Sequence, residues 1–239
     1  MKRIIGLALS LTLLAALLAG CGSTPASDTS EAAPAETSSS EAAEPTPEPT
    51  PEPTPEPVEA EYIPGERTDT DYTSTVLGLH FTLGDNMVMA TDEEINSMMQ
   101  AGVDVMYEDE ETGEMILDYT QLSTVYEMVA ADITNGSNVI VMCEKLPLSG
   151  IEMDQYIEAM RTQMAQTTLD VDFGEPEDVD LGGVTFTGLT YSVNSNGTQA
   201  NQTMLLKKVD DRMYAVTFSY QDPAAYEALK ACFSPLEPA

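Results

Sequence analysis

The feature that most constrains this chain is a proline repeat. Thr46-Pro47-Glu48-Pro49 recurs as Thr50 to Pro53 and again as Thr54 to Pro57. Each proline removes a backbone donor, and the residue before it is pushed out of the helical region. The stretch therefore reads as polyproline II, extended at ~3.1 Å per residue, so that Thr46 to Val58 reach about 40 Å. Around it, from Gly22 to about Thr70, the chain is mostly Ser, Thr, Ala, Glu and Pro, with almost nothing to bury. Of 239 residues, only those from about 70 onward can build a core, which is one domain of ordinary size.

Ahead of this tether, Lys2 and Arg3 precede an apolar run from Ile4 to Ala19, the basic-then-apolar layout of a secretory signal. The run closes on Leu18-Ala19-Gly20-Cys21, which resembles the lipobox of bacterial lipoproteins. The resemblance implies cleavage before Cys21, a diacylglycerol on its thiol, and anchoring at the extracytoplasmic face of a membrane, in a Gram-positive setting the cell surface. A membrane-spanning helix needs ~20 apolar residues, more than this run offers, and the exit Gly20-Cys21-Gly22-Ser23 has no aromatic or basic stop. The expected organisation is a signal peptide over 1–20, lipidated Cys21 and a disordered tether over 21–69, and a single globular domain over 70–239.

Charge narrows the partners. The formal net charge is −32, and residues 68–239 alone hold 30 acidic and six basic side chains. Such a surface repels nucleic-acid phosphates and anionic headgroups and keeps a domain soluble. The expected partners are the membrane, through the lipid, and an extracellular protein or small ligand, with the domain a monomer. Nucleic acid is not among them.

Within 70–239 the hydrophobic period alternates between two and 3.6 residues. Two short strands are expected between Thr73 and Leu83, pinched at Gly78, and a third over Met87–Ala90. Thr91 and Glu94 form a capping box for a helix whose apolar stripe is Ile95, Met98 and Met99. A short helix over Met115–Gln121 follows a charged loop. Thr124–Asp132, with Tyr126, Met128 and Ala130 on one face, pairs through the Asn135-Gly136 turn with Asn138–Lys145. A helix from Met153 to about Thr167 carries a wide apolar stripe of Met153, Tyr156, Ile157, Met160 and Met164. A meander of four strands follows, turning at Gly182-Gly183, Asn196-Gly197 and Asp210-Asp211. Its apolar phase changes near Gly188, which predicts a bulge there. Asp222 caps a last helix with Pro223 at its first position, a stripe of Tyr226, Leu229 and Phe233, and a stop at Pro235.

Hairpins with apolar helix stripes to cover them predict an α+β domain, an antiparallel sheet flanked by helices on both faces in an α/β/α sandwich. The hairpin Val125–Ala130 to Asn138–Val141, the next helix, Leu181-Gly182-Gly183-Val184-Thr185-Phe186 and the closing strand and helix are similar to small surface lipoproteins of Gram-positive gut anaerobes. These are similar in turn to the PsbP-like fold. That resemblance spans about residues 70–235 and implies a fold and partner binding. It implies no site residues.

Catalytic chemistry has few candidates. His80 is the sole histidine, and no nucleophile motif surrounds it, so it reads as a sheet-face histidine with structural hydrogen bonds. One histidine and two distant cysteines form no zinc pattern. Asp170-x-Asp172 and Asp109-x-Glu111-x-Gly113 begin like calcium loops, but Leu181 and Thr120 stand where the twelfth-position glutamate belongs. No cofactor and no metal are expected. Cys143 and Cys232 are expected as separate thiols, because a strand and a packed helix lie ~10 Å apart, beyond the ~7 Å Cα limit for a disulfide; a bridge between them stays open. The methionines on helix faces read as core. Asn135-Gly136-Ser137 and Asn196-Gly197-Thr198 match glycosylation sequons but are explained by turn chemistry.

The expected function is a membrane-anchored extracytoplasmic lipoprotein whose domain is a non-catalytic binding or accessory module. Two alternatives stay open. One is a solute-binding lipoprotein of a transporter, which calls for two lobes and a deep cleft. The other is a carboxylate-dependent extracellular hydrolase, which calls for two carboxylates facing each other in a groove.

Overall fold

Antiparallel strands carry most of the regular secondary structure among the described residues. The computed structural model describes residues 61–106, 123–165, 167, 169–195 and 198–236. Strands β1 (Glu66–Arg67), β2 (Asp71–Ser74), β3 (Leu79–Thr82) and β4 (Met87–Met89) lead into helix α1 (Asp92–Met106). Strands β5 (Thr124–Asp132) and β6 (Asn138–Lys145) form a hairpin, followed by helix α2 (Met153–Met164). Strands β7 (Asp170–Phe173), β8 (Glu177–Leu181), β9 (Val184–Ser195), β10 (Thr198–Val209) and β11 (Arg212–Tyr220) come next. Helix α3 (Pro223–Lys230) and strand β12 (Phe233–Pro235) close the described chain.

The strands make two sheets. One has eight strands, in the order β4-β5-β6-β11-β10-β9-β7, with β8 also paired to β9. The other has four, in the order β1-β2-β3-β12. Both are antiparallel throughout. On one face of the large sheet, α2 buries Tyr156, Ile157, Met160 and Met164 against Met142, Leu189, Met204 and Met213. Beside it, Ile95 and Met99 of α1 pack on Val129 and Ile140. The opposite face is covered mainly by the small sheet. Tyr72, Leu79, Phe81 and Phe233 meet Met128, Val141, Phe186, Val216 and Phe218 there, and Leu229 of α3 joins them.

This overturns the expected sandwich with helices on both faces. The described residues hold twelve strands and three short helices, and the layer opposite α1 and α2 is a second sheet. The reason is physical. Alternation along a strand shows that one face is buried, but not which sheet the strand joins. Phe233 sits four residues after Leu229 and so satisfies a helical stripe, yet α3 ends at Lys230 and Phe233 opens β12, paired to Phe81 of β3.

Two other local expectations are corrected. No bulge occurs at Gly188: β9 runs in unbroken register with β10 from Thr187 to Ser195. Phe186 faces the small sheet, while Leu189, Tyr191 and Val193 face α2. The apparent change of phase is two buried faces read in succession. A register shift lies instead between Tyr126 and Met128 of β5. Tyr126 therefore packs on the α1 and α2 side, whereas Met128 and Ala130 face the small sheet.

Local signals behave as their chemistry requires elsewhere. The Thr91 amide donates to Glu94 Oε2 at 2.8 Å and the Glu94 amide to Thr91 Oγ1 at 3.3 Å, closing the capping box. Asp222 Oδ1 accepts from the Ala224 amide at 2.9 Å at the start of α3. The Met115–Gln121 helix, the Asn196-Gly197 turn and the proline tether lie outside the described residues. Among the described residues, no helix is long and apolar enough to cross a membrane.

Candidate functional site

The sequence-derived candidates are placed apart. Leu18, Ala19, Gly20 and Cys21 lie outside the described residues, as does Asp109-x-Glu111-x-Gly113. His80, on β3, faces its hairpin partner: Nδ1 is 3.0 Å from Thr73 Oγ1, and Nε2 is 3.1 Å from Thr82 Oγ1 and 3.4 Å from Asp71 Oδ1. Hydrogen bonds from the Thr70 and Thr82 hydroxyls, with a smaller contribution from His80, hold Asp71 below its ordinary carboxylate value. All three partners belong to β2 and β3, so the imidazole is spent within one hairpin. Asp170 and Asp172 lie on β7, an extended strand rather than a cation-binding loop. Among the described residues, no group of three or more His, Cys, Asp or Glu side chains could hold a metal ion. Cys143 is buried on β6 and Cys232 half-buried after α3, and both thiols are free.

Two carboxyls that sequence patterns left unnoticed carry the densest chemistry. Glu127 stands at the β5 register shift, where an extra residue on the strand re-aims a side chain. It is buried, and its two oxygens are met from different elements. Tyr62 donates to Oε1 at 2.8 Å, and Tyr72 of β2 donates to Oε2. The Gly65 amide is a third donor. Gly65 is required there by contact: a Cβ would fall 2.3 Å from Tyr72 Cε2. Arg212 of β11 lies over the Tyr62 ring, 4.8 Å from its centroid. Burial raises Glu127 above its ordinary range, outweighing the three donors that lower it. Burial also raises both tyrosines, so their hydroxyls remain donors.

The second carboxyl, Glu144 of β6, has no solvent exposure. It points to the other face of the sheet, where Tyr156 of α2 donates to Oε2 at 2.7 Å. Oε1 has no hydrogen-bond partner. Burial pushes this carboxyl up to about 7, against the Tyr156 hydrogen bond, which lowers it. Glu127 and Glu144 therefore do not form a facing pair. Each is buried on its own side of the sheet.

An open concavity among the described residues lies elsewhere. A groove of about 570 Å³ runs between Arg67–Asp69 and the segment Met87–Asp92, with Leu83 in its wall. Arg67 ion-pairs with Asp92 across it. Asp92, Glu93 and Glu94 occupy the first turn of α1, and Glu94 already engages the Thr91 amide, so this helix start does not favour an anion. The groove lining holds no cysteine, serine or imidazole.

No protein-family model matches the chain, and no curated protein matches it. Among solved structures it is similar to the solution structure of cyanobacterial PsbP (CyanoP) from Synechocystis sp. PCC 6803. The identity is 11% and the TM-score 0.42, over 75% of this chain and 99% of that one. A crystal structure from Bacteroides thetaiotaomicron VPI-5482 is similar at 9% identity and a TM-score of 0.36, over 71% of this chain and 49% of that one. A PsbP protein is thus among the solved structures to which the chain is similar.

Glu127 was hidden by the same register shift that exposes it to the core. In Val125-Tyr126-Glu127-Met128, regular alternation puts Glu127 opposite Tyr126 and Met128, on the solvent side. Glu144 did leave a signal. It continues the alternation of Ile140 and Met142, both buried, and so an acid was due on a covered face.

Proposed function

We propose that the protein is a membrane-anchored extracytoplasmic lipoprotein whose folded domain is a non-catalytic binding or accessory module. The observation that carries the reading is Leu18-Ala19-Gly20-Cys21 at the end of a basic-then-apolar N-terminal segment. The proline repeat supports it, because an extended, semi-rigid stalk holds a domain away from its anchor. The acidic surface supports a soluble domain in an aqueous space, with a protein or small ligand rather than nucleic acid as partner.

The chemistry of the domain supports the non-catalytic half. A general acid or base must reach substrate. Glu127 and Glu144 are sealed in the core, and His80 is engaged within its own hairpin.

Metabolic labelling with a radioactive or clickable fatty acid, followed by membrane fractionation, tests the anchor. The parent chain incorporates label and sediments with membranes, and Cys21→Ala does neither. Equal membrane association of the two would sink the anchoring reading.

A further inference from the structure

Residues 61–67 join the tether to the domain, and they are fastened at several points to the face that carries Glu127. Tyr62 packs on the core of that face and donates to Glu127. Gly65 rests against the Tyr72 ring and gives its amide to the same carboxyl. Glu66 and Arg67 pair with Thr73 and Tyr72, and Arg67 reaches Asp92. The regular ladder is only two residues long on this side, so side-chain contacts to one carboxyl supply much of the attachment. Such a short edge strand opens far more readily than the core ladders.

We propose that Glu61–Arg67 is a releasable strap latched on the Glu127 carboxyl, and that it opens when that carboxyl loses its proton. While the strap is closed, Glu127 is buried and bonded to Tyr62 and to Tyr72 of β2; Cys143 of β6 and Tyr214 of β11 lie near enough to feel its charge, and Arg212 of β11 lies over the Tyr62 ring. Cys143 and Tyr214 are neutral across the physiological range, burial pushing the thiol up to about 11 and the phenol higher still. Arg212 spreads its charge over the Tyr62 ring, with Asp211 Oδ1 3.9 Å from its Nε. A neutral carboxyl is tolerated in this enclosure, since either tyrosine hydroxyl can accept as well as donate. An ionised one carries a desolvation cost that only opening relieves.

The direction follows from linkage. The closed state holds the Glu127 proton more tightly than the open state, in which the carboxyl meets water. Closure is therefore fully favoured below the ordinary carboxylate value and weakens as pH rises through the raised one. Opening exposes the Tyr72 side of the small sheet and lengthens the stalk by the residues of the strap. The proposal is independent of what Cys21 carries, so it stands or falls apart from the lipid anchor.

The chain contains no tryptophan, and Ile63 is 54% exposed, so Ile63→Trp places a single reporter within the strap. Acrylamide quenching of the full-length Ile63→Trp chain, measured from pH 4 to pH 8, is expected to rise at least two-fold with pH. With Glu127→Gln added, quenching stays at its low-pH value throughout. With Tyr62→Phe added instead, the midpoint moves to lower pH. Quenching that ignores pH in the parent, or the same titration in the Glu127→Gln chain, overturns the proposal. If circular dichroism shows that Glu127→Gln does not fold, the Tyr62→Phe midpoint decides, and an unmoved midpoint overturns it.

Discussion

The Tyr156 hydroxyl donates to Glu144 Oε2 at 2.7 Å, tying helix α2 to strand β6 through a carboxyl with no solvent exposure. Burial pushes Glu144 up to about 7, so the native state holds this proton where an unfolded chain has released it. A raised carboxyl contributes stability that is complete below its unfolded value and is lost as pH rises through its folded one. From pH 5 to pH 8 the loss is on the order of 3 kcal/mol. Glu144→Gln keeps the shape and cannot ionise. Its melting temperature should fall much less than that of the parent over this interval, and parallel curves would refute the assignment. Glu127 shifts in the same direction, so the difference between the two proteins, not the slope of either, isolates Glu144.

Tyr156→Phe tests the same bond from the helix. It leaves both Glu144 oxygens without a donor, and an unsatisfied buried polar group costs about 1–3 kcal/mol. The Tyr156 bond is what holds Glu144 down, so its loss raises the carboxyl further. The variant should therefore lose more stability at pH 8 than at pH 5. Urea unfolding at the two pH values measures this, and an equal loss at both would show that the hydroxyl does not act through the carboxyl.

These two carboxyls also show how far the sequence could be read. Hairpins announced themselves because Asn135-Gly136 and Gly182-Gly183 punctuate period-two runs. Helix starts were legible because Thr91 with Glu94, and Asp222 with Pro223, satisfy amides by local chemistry alone. What stayed hidden is long-range. Nothing local tells whether the Asp71–Thr82 hairpin extends the large sheet or caps it, so alternation alone does not separate the two sheets. Tyr62 sits in a stretch whose composition reads as tether, yet it is 65 residues from the carboxyl it binds. A single extra residue at Glu127 reverses the face of everything before it in β5, and regular alternation cannot register that.

The two thiols should differ sharply in reactivity. Burial pushes Cys143 up to about 11, so at pH 8 only about a thousandth is thiolate. Cys232 is half-buried, with Sγ 3.5 Å from the Ala228 carbonyl oxygen. In the Cys21→Ala chain, Ellman's reagent at pH 8 should titrate one thiol in the native state and two after unfolding. Mass spectrometry of the trapped adduct should place the first on Cys232. Two fast native thiols would contradict the enclosure of Cys143, and none after unfolding would reveal a disulfide.

Gly188 of β9 sits between β8 and β10, where side chains from both neighbours fill the space a Cβ would take. A Cβ at this position would lie 2.5 Å from Val179 Cγ2 and 3.3 Å from Leu205 Cδ2. Val179 belongs to β8, where it pairs with Phe186, and Leu205 lies opposite Gly188 on β10. The methyl of Gly188→Ala thus enters a filled gap between two strands that cannot separate without breaking ladder bonds. Overpacking of this kind costs about 1–3 kcal/mol, even though alanine is otherwise acceptable in a strand. Val179→Ala vacates the space and by itself destabilises through lost burial, at ~0.8 kcal/mol per methylene-sized group. Combined, the two substitutions should cost less than the sum of their separate effects by about 1 kcal/mol or more, the signature of a shared contact. A double-mutant cycle by urea denaturation measures the coupling. Simple additivity would mean that the glycine is required by backbone conformation rather than by its neighbour, and would remove Val179 as the reason a side chain is excluded there.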